Sequence, residues 1–392
     1  MKFHENNFDK LCQSSIYGMV TLPTQGSKKL LLSTVVGKVY CCEYYCKTPT
    51  GIRQTILEVP ITNIPSHTQI VSIDSYKSKK KGLVIALSLV NKEYTEFTPN
   101  ENKGYLYFYW NILCETDDKW IYKNFQENFF YCNLGFIPLQ LKHYQLSTGK
   151  KVFLLAGCDK KYHVYTETEE DNTITFKEIE LSENFPELVS LQSLPTYLEF
   201  KNISKHERLT CVGYDTGVVQ CFLVNLELHL FEKFETDILD CPVSQLLIYR
   251  DVNYSPASAA PNFIKKTALE NCHDNKLKSN LNIIAVFSRK QSVVYRNVLQ
   301  NSLKDIIILA GSNKFDIATC CDISDVSHNG KNEVVIGTHG PRMLVYSFDK
   351  NLPSGSSVTP VWDRIFAHPV INVSFVKDRL LEKIILYKYK II

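Results

Sequence analysis

Cysteine is the residue type in this chain with the widest chemical repertoire, and two groups of cysteines are closely spaced. The groups are Cys41, Cys42 and Cys46, and Cys320 with Cys321. Because neighbouring residues of a strand point to opposite faces, adjacent cysteines cannot easily bind one metal ion. The total of 13 is odd, which does not suit a framework of disulfides. We therefore predict buried thiols of the core, with a metal site as the alternative.

The common catalytic signatures are absent from the sequence. It contains no G-x-S-x-G, H-E-x-x-H, C-x-x-C, G-x-G-x-x-G or G-x-x-x-x-G-K-[ST] pattern. The run from Ser147 to Lys150 has the letters that end a phosphate-binding loop, but Tyr144 stands where that loop needs its first glycine. We predict a hairpin turn there, and we expect no catalytic residues and no cofactor.

Four lysines cluster between two apolar runs, at positions Lys77, Lys79, Lys80 and Lys81. The simplest interpretation of a short basic run is a solvated loop that joins two strands. The alternative is contact with an anionic partner such as an acidic lipid surface, an actin filament or an acidic protein. These four lysines are the candidate residues for such a contact.

Asp325, Ser327, Asn329 and Glu333 lie in a stretch that leads into an apolar run. The stretch resembles the D-x-D-x-D-G-x-x-D/E loop of FG-GAP repeats, which are the blades of integrin α-subunit propellers. In an intact loop, the alternating carboxylates face one calcium ion. Here serine and asparagine replace two of them, so two formal charges remain. Because calcium affinity falls with ligand charge, we favour a structural turn, with weak calcium binding as the alternative.

The elements that carry these residues are predicted to be strands. Short β-branched and aromatic runs bounded by Gly, Asp and Asn dominate the chain, and aromatic residues make up 12% of it. One hairpin pattern recurs: an apolar run, a polar turn and a second apolar run that ends in aromatic residues. Its clearest copies are residues 152–165, 209–222 and 334–346. We predict positive φ for the turn glycines Gly217 and Gly340.

Repetition of the hairpin predicts an all-β chain folded as a single β-propeller over residues 1–392. Six hairpins plus one degenerate copy predict about seven blades, the last of them incomplete. A strand near residues 16–22 is predicted to pair with the last blade and close the ring. The alternative architecture is a pair of β-sandwiches. The residues that mark the six hairpins are Thr34, Leu87, Gly157, Gly213, Phe287 and Gly337.

Two polar inserts interrupt the repeat, at residues 91–103 and 251–280, and are predicted to be surface loops. The net charge of +3 excludes nucleic-acid binding through bulk charge. No apolar run is long enough for a membrane-spanning helix, and the first residues lack the apolar segment of a signal peptide. We expect a cytoplasmic protein that neither binds nucleic acid nor inserts into membranes.

Several segments, in order along the chain, resemble the kaptin family. They include residues 293–299, 309–316 and 322–337, with shorter segments at 16–18, 70–74, 81–84 and 184–188. The resemblance is collinear from about residue 10 to about residue 370. Family members continue through a second FG-GAP loop and a charged helical tail, whereas residues 373–392 form a divergent segment here. We expect either a lineage difference or a truncated gene.

The resemblance implies a non-catalytic scaffold subunit of the KICSTOR complex. Its implied partners are an FG-GAP propeller subunit and a very large scaffold subunit. KICSTOR recruits the GATOR1 GTPase-activating complex to lysosomes and negatively regulates mTOR complex 1 signalling on amino-acid or glucose deprivation. The implied location is therefore cytoplasmic and peripheral at the lysosomal membrane.

Two other functions stay open. The resemblance also implies F-actin binding at actin-rich cell edges, in lamellipodia and stereocilia, and the basic run Lys77 to Lys81 is compatible with it. The third hypothesis is an enzyme built on a propeller, which would need acidic or histidine side chains that converge in space.

Overall fold

Strands form where β-branched and aromatic residues alternate with polar ones, as their packing on a pleated surface requires. The structure is a computed structural model that describes residues 13–22, 29–48, 51–78, 82–93, 102–111, 125, 128–170, 173–250, 281–327, 329–349, 351–377 and 382–388. Its helical segments include α1 (Val298–Asn301) and the 3₁₀ turn Pro186–Leu188. In these residues we find no helix with the length and apolar character needed to cross a membrane.

The first of two units is formed mainly by Glu5–Thr196. It contains three four-stranded antiparallel sheets, in which each strand pairs with the next one along the chain. Pairing between consecutive strands keeps the entropy cost of loop closure small. The first sheet contains β1 (Met19–Leu22), β2 (Lys29–Ser33), β3 (Val39–Thr48) and β4 (Gly51–Val59); the second contains β5 (Thr68–Ser78), β6 (Gly82–Asn91), β7 (Gly104–Asn111) and β8 (Phe129–Leu134); the third contains β9 (Pro138–Gln145), β10 (Lys151–Gly157), β11 (Tyr162–Glu170) and β12 (Thr173–Ile179).

The second unit is formed mainly by Tyr197–Phe375. One of its sheets has an additional strand, β24 (Ser357–Val358), which pairs in parallel with β20 (Ile306–Leu309), so that Ile308 faces Ser357. The fourth sheet contains β13 (Pro195–Asn202), β14 (Glu207–Tyr214), β15 (Val219–Asn225) and β16 (Leu230–Glu235); the fifth contains β17 (Val243–Arg250), β18 (Leu281–Phe287), β19 (Ser292–Tyr295), β20 (Ile306–Leu309) and β24 (Ser357–Val358); the sixth contains β21 (Ala318–Ser324), β22 (Glu333–Thr338), β23 (Arg342–Tyr346) and β25 (Trp362–Ile365); β26 (Val370–Lys377) and β27 (Glu382–Lys388) form a two-stranded sheet.

These sheets confirm the predicted all-β β-propeller class and exclude the pair of β-sandwiches. The prediction of about seven blades is wrong, because the described residues form six. The marker residues Leu87, Gly213 and Phe287 lie in the second strands of their blades. The seventh blade was inferred from a degenerate copy. After β25 the described chain supplies only the β26–β27 hairpin, which lacks the two outer strands of a blade.

The strand near residues 16–22 does not pair with the last blade, so that prediction is also wrong. β1 is antiparallel to β2 in its own sheet, with Met19 opposite Leu32 and Leu22 opposite Lys29. Because β1 and β2 are close in the sequence, closing the loop between them costs little entropy. This small cost favours the hairpin over pairing with a distant strand.

The two turn glycines are required for different reasons. Gly217 has a φ of 81°, as predicted, and a residue with a side chain would be strained there. Gly340 does not have a positive φ, so the prediction is wrong at this position. A Cβ at Gly340 would lie 2.5 Å from the carbonyl oxygen of Phe315, so close backbone packing requires the glycine.

The two predicted inserts follow strand ends. The insert at 91–103 joins β6 to β7, and its ends are held together because the Asn91 side-chain amide donates to the Asn102 carbonyl at 3.0 Å. Residues 94–101 lie outside the described residues, as does the whole insert at 251–280 between β17 and β18. Their nature as surface loops stays a prediction.

Each unit has apolar cores between neighbouring sheets. In the first unit Phe108 of β7 stacks on Phe176 of β12, with ring centroids 3.8 Å apart. In the second unit a cluster of buried side chains joins the fourth and fifth sheets, with Leu209 and Leu246 among its members. Burial of this surface is the main favourable term in folding, so these cores hold the blades together.

Candidate functional site

The 325–333 loop joins β21 to β22 and brings its four predicted residues together. The Asp325 carboxylate accepts the backbone N–H of Asn329 at 2.9 Å and that of Gly330 at 2.7 Å. A carboxylate that accepts backbone amides a few residues ahead closes a turn without a metal ion. The neighbouring residue His328 lies outside the described residues.

Glu333 forms the second half of this turn. It is only 2% exposed, and its carboxylate accepts the backbone N–H of Val326 at 2.7 Å and that of Ser327 at 3.2 Å. The Ser327 hydroxyl and the Asn329 side-chain amide also donate to it. Both carboxylates are therefore engaged as hydrogen-bond acceptors. The hydrogen bonds to these two carboxylates fit a structural turn, and calcium binding stays the less favoured prediction.

We expect no measurable calcium binding at the 325–333 loop. Isothermal titration with millimolar CaCl₂ should give only the heat of dilution, because a calcium ion would have to displace the internal hydrogen bonds of Asp325 and Glu333. Asp325→Ala is the control variant. Binding heat in the natural chain that disappears in Asp325→Ala would contradict the structural interpretation.

The candidate lysines cannot be assigned to a common surface. Lys77 is exposed near the end of β5, and its carbonyl accepts the Lys151 ammonium at 2.6 Å. Lys79, Lys80 and Lys81 lie outside the described residues. The anionic contact therefore stays a prediction.

The described cysteines of both groups are buried, as predicted for core thiols. Cys41 and Cys42 lie on β3, and Cys320 and Cys321 lie on β21. Burial raises the pKa of the Cys41 and Cys320 thiols to about 12, so they stay protonated at neutral pH. The side chain of Cys46 lies outside the described residues. Protonated, buried thiols are neither good nucleophiles nor metal ligands.

Acidic and amide side chains join the first strands of neighbouring sheets, a role that the sequence did not predict. The Asp74 carboxylate on β5 is 6% exposed and accepts the backbone N–H of His143 on β9. Asp322 on β21 accepts the backbone N–H of Phe375 on β26 at 2.8 Å. Gln245 on β17 accepts that of Cys321 on β21 at 2.7 Å. A polar residue next to apolar ones in a first strand, as in Ile73-Asp74 or Cys321-Asp322-Ile323, is the signal that could have identified these junctions.

Asp159, His163 and Glu178 form a hydrogen-bonded cluster on β11 and its neighbours. Both ring nitrogens of His163 are within hydrogen-bond distance of a carboxylate, with Glu178 at 2.8 Å and Asp159 at 3.1 Å. The imidazole also stacks on Phe136. Desolvation lowers the pKa of His163, but the hydrogen bonds and charges of Glu178 and Asp159 outweigh it and raise the pKa above 6.5. Both ring nitrogens are engaged by carboxylates of the same sheet region, so the cluster fits a structural role.

Other histidines do not join this cluster. His206 pairs with Glu227 at 2.7 Å, and His339 pairs with Asp316 at 2.8 Å. Across the described ranges, no group of three or more His, Cys, Asp or Glu side chains is placed to hold a metal ion.

The His163 cluster predicts a pH dependence of stability. Because the pKa of His163 is higher in the folded chain, its contribution is complete below pH 6.5 and is lost as pH rises through the folded-state pKa. The hydrogen bond from His163 lowers the pKa of Glu178, whose contribution is lost in acid. We expect the melting temperature to fall less between pH 6 and 8.5 in His163→Gln than in the natural chain.

The matched control is His206→Gln, which alters an exposed pair whose side chains are 60% and 67% exposed. Solvent screens that pair, so its removal should leave the pH profile unchanged. Parallel profiles for the natural chain and His163→Gln would contradict the assignment of a charged His163.

Comparison with known proteins places the chain in a family. The chain is 27% identical over 382 residues to KICSTOR complex protein kaptin of Mus musculus, and the alignment covers 95% of this chain and 82% of the mouse protein. A crystal structure of BBS1N in complex with ARL6DN matches with 10% identity and a TM-score of 0.42, over 88% of this chain and 96% of that chain. A Chaetomium thermophilum Polycomb Repressive Complex 2 structure matches with 11% identity and a TM-score of 0.40, over 61% and 47% of the two chains. The family described as KICSTOR complex protein kaptin matches residues 3–386, and the chain belongs to this family.

Proposed function

We propose that the chain is a non-catalytic scaffold subunit of a KICSTOR complex. The observation that carries the proposal is the family match over residues 3–386, which includes all six blades. The polar clusters support the same interpretation, since the 325–333 loop and the Asp159, His163 and Glu178 cluster are engaged in internal hydrogen bonds. A scaffold needs surfaces for partners, and a propeller supplies several blade edges.

In this proposal the chain pairs with an FG-GAP propeller subunit and docks on a very large scaffold subunit. The assembled complex recruits GATOR1 to lysosomes and restrains mTOR complex 1 when amino acids or glucose run out. The chain itself is cytoplasmic and peripheral at the lysosomal membrane.

The test is a null allele in the source animal, rescued with the tagged chain. Phosphorylation of mTOR complex 1 substrates should persist during amino-acid starvation in the null and stop after rescue. The tagged chain should recover the propeller subunit and the large subunit in near-equal amounts. Normal loss of phosphorylation in starved null animals would refute the proposal.

Actin binding is the second candidate function, and the exposed Lys77 at the start of the basic run favours it. Actin filaments are acidic, so binding should weaken as salt rises. Co-sedimentation with F-actin at 25 mM and 200 mM KCl tests this function. The charge-reversed variant with glutamate at Lys77, Lys79, Lys80 and Lys81 should no longer pellet, and absence of pelleting of the natural chain at low salt would refute it.

A further inference from the structure

The outer strand of the fourth blade, β16, has one edge without a partner among the described strands. In that sheet β16 pairs with β15, and no other described strand joins it. The outer strand of the fifth blade differs, because β20 carries β24 along its edge. A free strand edge presents N–H and C=O groups that can pair with another strand. Within the described part of the chain, strand addition therefore extends the fifth blade but not the fourth.

The hydrogen-bond ladder shows which groups face this edge. The Thr236 N–H donates to the Val219 carbonyl at 3.1 Å, in register with the β15–β16 pairing. Residues of an antiparallel strand alternate between bonding to one neighbour and pointing away from it. The backbone groups of Phe231 and Lys233 consequently point away from β15, to the edge that no other described strand covers.

Large apolar side chains are exposed around the same strand. Leu228, Leu230 and Ile238 are each 65% exposed, and Phe231 is 43% exposed. Single exposed hydrophobic residues are ordinary, but a concentration of four within eleven residues is typical of a contact surface. We call residues 228–238 the β16 surface.

A groove of about 720 Å³ lies between the end of β16 and the fifth blade. Its walls include Leu239 from the fourth blade and Val293, Ile306 and Ile308 from the fifth. Alternate side chains of a strand point to one face of a sheet. Apolar side chains on one face of an added strand would therefore enter this groove.

The β16 surface is acidic, unlike the chain as a whole. Residues 228–238 carry three acidic side chains and one lysine, whereas the chain has a net charge of +3. The lysine, Lys233, is paired with Glu235 at 2.8 Å. Like charges on paired strands repel and opposite charges attract, so this edge favours a basic partner strand.

We propose that the β16 edge binds an extended segment of a partner protein, in which apolar residues alternate with lysine or arginine. The segment adds to the fourth blade as a fifth strand, because only an extended chain can pair with the backbone groups along the edge. Its apolar face contacts the groove, and its basic residues lie opposite the acidic ones. The proposal concerns this surface alone and does not depend on whether the partner belongs to KICSTOR.

The first experiment identifies the segment by photocrosslinking. The full chain carries p-benzoylphenylalanine at Leu230 on β16 or, as the control, at Ile365, an exposed residue on the edge strand β25 of the sixth blade. Mass spectrometry of cells after irradiation should find Leu230 crosslinked to a partner segment that has at least two basic residues alternating with apolar ones. Crosslinks at Leu230 no more abundant than at Ile365, or crosslinks to a second copy of this chain, would overturn the proposal.

The second experiment measures binding of a synthetic peptide of that segment to the purified chain by fluorescence anisotropy. Lys233→Pro removes an edge N–H without breaking the ladder to β15, which an edge strand tolerates. We expect it to weaken binding at least tenfold, although it makes the surface more acidic. Ile365→Pro, which removes an outward-facing N–H from β25, should change the affinity less than twofold.

A charge variant tests the electrostatic part of the proposal without changing the backbone of β16. The double substitution Glu232→Lys and Asp237→Lys keeps the backbone intact and should also weaken binding at least tenfold, as should a peptide whose basic residues are changed to glutamate. Unchanged affinity in this double variant would overturn the proposal even if Lys233→Pro failed to fold.

Discussion

Replacing Lys29 by alanine is expected to lower the free energy of unfolding by about 3–5 kcal/mol. Lys29 on β2 is fully buried and faces Glu43 on β3, with its ammonium 2.6 Å from the carboxylate. Removing one partner leaves a buried charge without its counter-ion, and that desolvation penalty is the cause of the loss. Urea unfolding followed by tryptophan fluorescence measures the effect.

The matched control is Lys38→Ala in the same sheet. Lys38 and Glu58 form an ion pair at 3.2 Å, but each side chain is 51% exposed. The loss there should be at most about 1 kcal/mol, because solvent screens the pair. The double substitution Lys29→Met and Glu43→Leu should recover most of the stability, since it removes both buried charges. A loss in Lys29→Ala as small as that in Lys38→Ala would contradict the assignment of a buried ion pair.

Phe108→Ala should also cost about 3–5 kcal/mol, because it leaves a cavity between the second and third sheets. Phe108 is fully buried and contacts Phe153 at a centroid distance of 5.6 Å, in addition to its stacking on Phe176. These rings belong to different blades, so the substitution should weaken the packing of one blade on the next. Thermal unfolding followed by circular dichroism measures the loss.

Tyr131→Ala is the control for this prediction. Tyr131 stacks on Tyr107 at 5.1 Å but is 49% exposed, so its removal leaves no closed cavity. We expect a loss of about 1 kcal/mol or less. Equal losses in Phe108→Ala and Tyr131→Ala would mean that the blade interface collapses around the smaller side chain.

Some polar side chains form hydrogen bonds between neighbouring sheets. Asp74 and Asp322 each hold a backbone N–H of the next first strand, and Gln245 does the same with its amide oxygen. The hydrogen bonds to the two carboxylates are charge-assisted and therefore stronger than the neutral one to Gln245. Asp74 and Asp322 therefore stabilise the packing of neighbouring sheets.

Local features of the fold were predictable from the sequence. The hairpins at 152–165, 209–222 and 334–346 appear as strand pairs because alternation and turn chemistry depend on residues close together in the chain. The buried thiols of Cys41 and Cys321 follow from the same alternation. The residues of the 325–333 loop also meet as their spacing indicates, since the loop folds on itself.

The sequence by itself thus determined the all-β class, the repeated hairpin and the family. Tertiary structure decided the number of blades, the pairing of β1 with β2, and the meeting of Asp159, His163 and Glu178. It also decided that β24 covers the edge of β20, whereas β16 has no second partner among the described strands. The physical reason is that strand pairing depends on which sheet lies alongside, and contacts between distant segments leave no local pattern in the sequence.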